Sequence, residues 1–184
     1  MNEGAADPDG RFYCGSMAYD TRAGAAALYR LDPDGSVAVV LEGVTISNGL
    51  DWSPNGSQAY YNDTPTRRTD VFDYDIDAGL TGRRIFARVD GHPDGLVVDS
   101  EGGVWVALYG GGAVQRFAPD GSLDAVVELP VTKVTGCTFG GPRLDELFIT
   151  TSREGLAPGD EPRAGSLFRV APGVRGVPVG EFGG

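Results

Sequence analysis

The sequence predicts an all-β fold of the β-propeller type, and three observations support this prediction. Segments that begin at Asn2, Asn48 and Asp94 share the same order of turn-forming residues and are spaced 46 residues apart. Short runs of alternating apolar and polar residues follow these segments, as expected for half-buried strands. No stretch of a dozen residues has the helical period of about 3.6 residues. A regular period of about 40 to 50 residues is typical of propeller blades, and a β-sandwich does not explain it.

The repeat divides a single domain into four blade-like units. We expect their boundaries near residues 1–46, 47–92, 93–134 and 135–184, with about four strands in each unit. One family of predicted strands follows the repeated turns, at 12–14, 59–61, 104–106 and 147–150. A second family alternates with the first, at 27–31, 70–74, 113–117 and 166–170. Turns such as Asp-Pro-Asp-Gly and Pro-Asn-Gly supply the backbone angles that tight hairpins need.

The composition fits one domain and disfavours several classes of partner. With 184 residues, of which 41% are hydrophobic, the chain can bury one sizeable core. The net charge of −11 argues against nucleic acids and anionic membranes as partners, because binding to them requires clustered lysine and arginine. The first residues lack the basic and apolar regions of a secretion signal, and no apolar run is long enough for a membrane-spanning helix. We therefore expect a cytoplasmic protein.

Few side chains suit other hydrolytic or metal chemistries. Cys14 and Cys137 are far apart and belong to no CxxC pair, so we expect free thiols. His92 is the only histidine, which argues against a histidine-rich zinc site, and no GxSxG sequence supports a serine hydrolase. A run of acidic residues could indicate a calcium-binding site. However, alternation along a strand sends neighbouring side chains to opposite faces, so we expect these carboxylates to be solvated. This run consists of Asp70, Asp73, Asp75 and Asp77.

The repeat also predicts where polar side chains converge. In a propeller the innermost strands begin near one mouth of the central channel, so equivalent positions in successive blades face a common axis. Asn2, Asn48 and Asp94 are such equivalents, and each can present a side-chain oxygen. Converging amide and carboxylate oxygens suit a hard cation such as Ca²⁺, Mg²⁺ or Mn²⁺, with Zn²⁺ tolerated. The alternative is that asparagine and aspartate before glycine simply form turns.

Five short segments follow one another in a specific order and spacing. They are Ile-Ser-Asn-Gly-Leu-Asp-Trp-Ser at 46–53, Asp-Val-Phe-Asp-Tyr-Asp at 70–75, Pro-Asp-Gly-Leu at 93–96, Gly-Val-Trp-Val-Ala at 103–107 and Cys-Thr-Phe-Gly-Gly at 137–141. Together they resemble the motifs of the SMP-30/gluconolactonase/regucalcin-like family of sugar lactonases. The resemblance implies a six-bladed β-propeller whose channel holds one divalent cation, Ca²⁺, Zn²⁺, Mn²⁺ or Mg²⁺. The implied activity is metal-dependent hydrolysis of aldonolactones such as gluconolactone.

The resemblance also implies roles for four residues. Asn48 and Asp94 match two of the family's metal ligands. Because Asp94 would be the carboxylate nearest to the cation, it is also our candidate for the general base. Asn2 and Asp20 match positions that bind the sugar lactone, although aspartate at 20 is shorter than the family's usual glutamate. The expected partner is therefore a small sugar lactone.

The chain also departs from the family pattern. The family's metal-binding glutamate and a substrate-binding arginine would precede Met1, and only about four blades are accounted for. A misassigned start or fragment, a true truncation, and completion by a second chain are three competing explanations, of which we favour the first. Uncovered sheet faces would favour self-association. Two other functions stay open: a non-catalytic calcium-binding or interaction propeller, and an inactive remnant of a lactonase.

Overall fold

Four antiparallel sheets stand side by side, each with its innermost strand at a common channel, as the blades of a propeller do. A computed structural model describes this arrangement for all residues from 1 to 184. The predicted all-β propeller class is confirmed. Helical structure is limited to a 3-10 turn at Thr64–Thr66. No helix has the length and apolar character required to cross a lipid bilayer.

Blades 1 and 2 contain four strands each, in chain order from the channel outward. Blade 1 consists of β1 (Gly4–Ala6), β2 (Phe12–Gly15), β3 (Ala26–Leu31) and β4 (Val37–Val44). Blade 2 consists of β5 (Ser47–Trp52), β6 (Gln58–Asp63), β7 (Arg68–Asp75) and β8 (Gly79–Arg88).

Blades 3 and 4 repeat this order, but blade 4 is one strand shorter. Blade 3 consists of β9 (His92–Val98), β10 (Val104–Tyr109), β11 (Ala113–Phe117) and β12 (Leu123–Glu128). Blade 4 consists of β13 (Val134–Gly140), β14 (Glu146–Thr151) and β15 (Phe168–Val170). The expectation of about four strands per unit therefore fails for the last unit, where a long loop follows β14.

Apolar layers between neighbouring blades form the core. Along β10, Val104 and Val106 pack toward blade 2, whereas Trp105 and Ala107 pack toward blade 4. Because strand side chains alternate between two faces, a blade covered on both sides needs apolar residues at consecutive positions. This requirement explains the continuous apolar run of β10. Each fully buried side chain of this size stabilises the fold by about 1.5–3 kcal/mol.

One face of blade 1 has no neighbouring blade. Phe12, Tyr29 and Leu31 line a hollow on this face whose lining is entirely apolar. Val37 lies at its edge and is 66% exposed. Self-association through such an uncovered face stays a prediction.

Buried aspartates hold the turns between the first and second strands of blades 1 and 3. Asp99 accepts hydrogen bonds from the backbone N–H of Gly103 (2.8 Å), from Trp105 Nε1 (2.8 Å) and from Arg116 Nε (2.7 Å). Asp7, two repeats earlier, accepts equivalent bonds from the backbone and side chain of Arg11. The aspartate at this end of blades 1 and 3 is therefore structural.

The prediction that the acidic run is solvated is wrong for Asp70. This residue is only 2% exposed, and its carboxylate pairs with Arg68 and Arg83 at 2.8 and 2.6 Å. The two arginines reach Asp70 from β7 and β8, so the charge is neutralised where the strand alternation places it inward.

The C-terminal segment, residues 171–184, crosses the end of the channel that lies opposite Asn48. The carbonyl oxygen of Arg175 accepts a hydrogen bond from the Ser100 N–H of blade 3 (2.8 Å). The Gly183 N–H donates to the carbonyl oxygen of Gly10 in blade 1 (2.9 Å). This segment therefore links blades 4, 3 and 1 and closes the channel on one side.

Close approach of the innermost strands requires glycine near the channel. A Cβ atom on Gly49 would lie 2.5 Å from the backbone nitrogen of Leu96 and 2.8 Å from the carbonyl oxygen of Asp94. A Cβ atom on Gly95 would lie 2.9 Å from Gly136 Cα. Because these neighbours are backbone atoms, no side-chain rotation can relieve the contact.

Substitution of Gly49 by alanine is expected to separate β5 from β9 and to lower the free energy of unfolding by about 1–3 kcal/mol. Gly136→Ala is the matched control, because its Cβ would meet only the Thr150 hydroxyl, at 3.2 Å, and that side chain can rotate. Urea unfolding measures the free energy of unfolding of both variants. Equal losses in the two variants would contradict the proposed role of strand approach.

Candidate metal and substrate site

The first two polar positions of the repeat meet in the structure. Asn2 Nδ2 donates a hydrogen bond to Asn48 Oδ1 at 2.7 Å and another to the carbonyl oxygen of Ser47 at 2.7 Å. Asn48 is only 8% exposed, whereas Asn2 is open to solvent. The 46-residue offset therefore corresponds to a direct contact between blades 1 and 2.

The amide of Asn48 is held in one orientation by a chain of hydrogen bonds. Thr64 donates its hydroxyl hydrogen to the carbonyl oxygen of Pro93 at 2.8 Å. Its oxygen is therefore an acceptor for Asn48 Nδ2, which lies 2.6 Å away. Since Nδ2 is used in this way, the oxygen of Asn48 is left facing Asn2 and the channel.

Buried polar side chains also fix the backbone at Asp94. Asn62 donates from Nδ2 to the carbonyl oxygen of Asp94 (2.8 Å), and Thr69 donates to Asn62 Oδ1 (2.8 Å). Asn62 and Thr69 are fully buried. The position of Asp94 is thus set by blade 2 as well as by its own strand, β9.

The side chain of Asp94 lacks the partners that a buried carboxylate normally has. Burial raises its pKa to about 7, and no hydrogen bond or ion pair opposes that rise. Carboxylates in such surroundings are stabilised by a cation. This unpaired group shows that Asp94 fits the role of a metal ligand.

Glu3 is a second carboxylate in the same channel. Its Oε1 atom lies 3.2 Å from the position that a Cβ on Gly95 would occupy. Burial raises the pKa of Glu3 to about 7, and the nearby Asp94 carboxylate contributes to the rise. The channel therefore contains two acidic groups without a compensating positive charge.

These donors suit a hard divalent cation rather than a soft one. No group of three or more histidine, cysteine, aspartate or glutamate side chains is arranged to hold a metal. The available ligands are carboxylate and amide oxygens, which Ca²⁺, Mg²⁺ and Mn²⁺ prefer. Asn48, by its orientation, and Asp94, by its unpaired charge, fit such an ion.

Asp20 is not brought into this cluster. It lies in the exposed loop between β2 and β3, where it accepts a hydrogen bond from the Arg22 N–H at 3.2 Å. The loop is tied near the mouth of the channel by a bridge between Met17 and Ile46. Asp20 is therefore a residue of the rim, and its contact with substrate stays a prediction.

A cavity of about 510 Å³ adjoins the polar cluster, and Glu3 is one of its lining residues. The innermost strands of all four blades and the C-terminal segment line it, largely with apolar side chains. Asp51 faces this cavity and accepts hydrogen bonds from the Val98 N–H (2.7 Å) and the Trp52 N–H (2.8 Å), yet burial raises its pKa to about 6. Burial, together with the Glu3 and Asp51 carboxylates, raises the pKa of the Cys137 thiol well above its usual value.

Several residues of this region were not among those that the sequence indicated. Thr64 and Asn62 act through contacts between blades, and their sequence neighbourhood contains no recognisable signal. Glu3 had one available signal, because it stands 46 residues before Gly49 and 92 before Gly95. An acid in a position that is otherwise glycine marks a difference between the blades.

Comparison with known proteins identifies the family. The sequence model of the protein family described as the SMP-30/Gluconolactonase/LRE-like region matches residues 1–153 of this chain. The chain belongs to this family. The SMP-30/gluconolactonase resemblance found in the motifs is thereby confirmed.

Individual family members agree with this assignment. Regucalcin from Oryctolagus cuniculus is 39% identical over 198 aligned residues, which cover 100% of this chain and 66% of that protein. The chain thus spans about two thirds of the length of this SMP-30 relative.

Two solved structures of similar proteins extend the comparison. The structure of a calcium-binding protein, regucalcin, from Agrobacterium tumefaciens has a TM-score of 0.92 at 30% identity and covers 98% of this chain and 64% of that one. A gluconolactonase from Xanthomonas campestris has a TM-score of 0.70 at 31% identity and covers 81% of this chain and 53% of that one. The chain is therefore similar to one protein described as calcium-binding and to one described as a gluconolactonase.

Asp51 should make the stability of the chain depend on pH. Because its pKa in the folded state, about 6, exceeds the ordinary value of 3.8, its contribution is greatest below pH 3.8 and is lost as the pH rises through 6. In the Asp51→Asn variant, the side chain at this position carries no charge at any pH of the experiment. The free energy of unfolding of the variant minus that of wild type should therefore increase by about 1–3 kcal/mol as the pH is raised from 4 to 7.5.

The measurement is urea unfolding of both proteins across this pH range. Hydrogen-bond losses in the variant that do not depend on pH cancel in the comparison. Parallel stability curves would show that Asp51 titrates normally in the folded protein.

Proposed function

We propose that this chain is part of a divalent-metal-dependent lactonase that hydrolyses sugar lactones of the gluconolactone type. The observation that supports this most directly is the Asp94 carboxylate, which has no partner and lies on the inner strand next to the oriented Asn48 amide. Family membership and the similarity to a gluconolactonase support the reaction class. The proposed partner is a small lactone, and the proposed location is the cytoplasm.

Asn48 and Asp94 would hold the cation, which is proposed to be Ca²⁺, Zn²⁺, Mn²⁺ or Mg²⁺. When bound, it would supply Lewis-acid polarisation of the lactone carbonyl. Thr64 contributes by fixing the Asn48 amide, so that its oxygen faces the channel before any ligand arrives. Such preorganisation avoids the cost of ordering the side chain upon binding.

Asp94 would also act as general base. Its carboxylate would take a proton from the water that attacks the carbonyl carbon. The ring C–O bond then breaks, the released hydroxyl oxygen gains a proton, and the product is an open-chain sugar acid. Asn2 and Asp20 would bind sugar hydroxyl groups and fix the orientation of the ring.

A calcium-binding propeller without catalysis is the second candidate. It is favoured by the similarity to a structure described as a calcium-binding protein, regucalcin. An inactive remnant of a lactonase would also retain Asn48 and Asp94. Both alternatives predict no turnover, so an assay for activity separates them from the proposed enzyme.

We expect the chain to release acid from gluconolactone when one of the four cations is added and to lose this activity with a chelator. Asp94→Asn should lower the metal-dependent rate by about 100-fold or more, because the base and a charged ligand are removed together. A pH indicator in weak buffer follows the reaction. Asp34→Asn is the matched control, because Asp34 is exposed and only caps a turn through the Ser36 N–H.

Full activity in the Asp94→Asn variant would exclude the assigned base. No acid release with any of the four cations would exclude lactonase activity of this chain. In that case calcium binding by calorimetry would distinguish the binding module from the remnant.

A further inference from the structure

The innermost strands place different residues at one equivalent position beside the channel. Gly49 and Gly95 occupy it in blades 2 and 3, and Gly136 lies against Gly95 in blade 4. In blade 1 the position, 46 residues before Gly49, belongs to Glu3. Three of four blades therefore present no side chain at this level, whereas blade 1 presents a carboxylate on a long stem.

The glycines leave room into which Glu3 extends. Its Oε1 lies 3.2 Å from the Cβ position of Gly95, so the side chain reaches from blade 1 to blade 3. Gly95 directly follows Asp94 in β9. The Glu3 carboxylate is thus placed beside the strand that supplies the candidate metal ligand.

Nothing in the protein neutralises this carboxylate. None of the ten ion pairs includes Glu3, and its side chain accepts no hydrogen bond. Asp7, Asp70 and Asp99, in contrast, are buried acids that are all paired with arginine. These three buried acids are thus neutralised, whereas Glu3 and Asp94 are not.

We propose that Glu3 supplies the second carboxylate of the cation site, in addition to Asp94. This inference rests on the proposed function, because it assumes a cation at Asn48 and Asp94. Among the residues of this chain, Asn48 and Asp94 would provide a single negative charge to a divalent ion, and Glu3 would provide another. The affinity of oxygen-based sites for Ca²⁺ depends strongly on the number of charged ligands.

The test is calorimetric titration of CaCl₂ into the full chain after removal of metal with a chelator. Glu3→Gln keeps the shape of the side chain and removes its charge, and we expect the Kd for Ca²⁺ to rise by about 10-fold or more. Glu42→Gln is the matched control, because Glu42 is exposed on β4 and its loss removes the same charge. Its Kd should stay within about twofold of wild type.

Thermal unfolding without metal gives a second readout. Since Glu3 has no partner, Glu3→Gln should unfold at the same or a higher temperature than wild type in the absence of metal, and should gain less from added Ca²⁺. Lower stability of the metal-free variant would assign Glu3 a structural role and overturn the proposal.

The two proposals fail in different ways. If wild type binds Ca²⁺ and Glu3→Gln binds it equally well, the role of Glu3 is overturned while the metal site at Asn48 and Asp94 stands. If wild type binds no cation, the metal site fails, and the role of Glu3 fails with it.

Discussion

The close contact of the innermost strands around the channel determines most other features of this structure. Gly49 brings β5 against the backbone of β9, and Gly95 brings β9 against β13. Only at this separation can Asn62 reach the carbonyl oxygen of Asp94 and Thr64 reach that of Pro93. The apolar layers between the blades stabilise the same arrangement, but they are not directional. The glycines therefore set the geometry, and the layers supply much of the free energy.

This geometry allows unpaired charge to persist in the interior. Partly buried carboxylates at Glu3 and Asp94 reduce the stability of the metal-free protein, because neither has a cationic partner. Elsewhere the chain avoids that cost, as the arginine pairs of Asp70 and Asp99 show. Arginine side chains thus neutralise Asp70 and Asp99, whereas Glu3 and Asp94 at the channel have no such partner. A cation at the channel would recover the lost stability.

The sequence could predict features that depend on periodicity. The 46-residue offset predicted that Asn2 and Asn48 face one axis, because they are equivalent residues of adjacent blades. Their side chains lie in contact in the structure. The third strand of blade 2 was predicted too, but Asp70 on that strand was expected to be solvated. Its partner Arg83 depends on the pairing of β7 with β8, which the sequence alone does not specify. Thr64 and the C-terminal crossing depend on contacts between distant segments, for which a single sequence contains no periodic signal. Glu3 was overlooked because it interrupts the repeat rather than following it.

The most direct test is a crystal structure of the full chain grown with MnCl₂, with anomalous diffraction data collected near the manganese absorption edge. We expect one anomalous peak in the channel, within coordination distance of Asn48 Oδ1 and of carboxylate oxygens from Asp94 and Glu3. A channel without a peak, or manganese bound only at exposed surface carboxylates, would contradict this expectation.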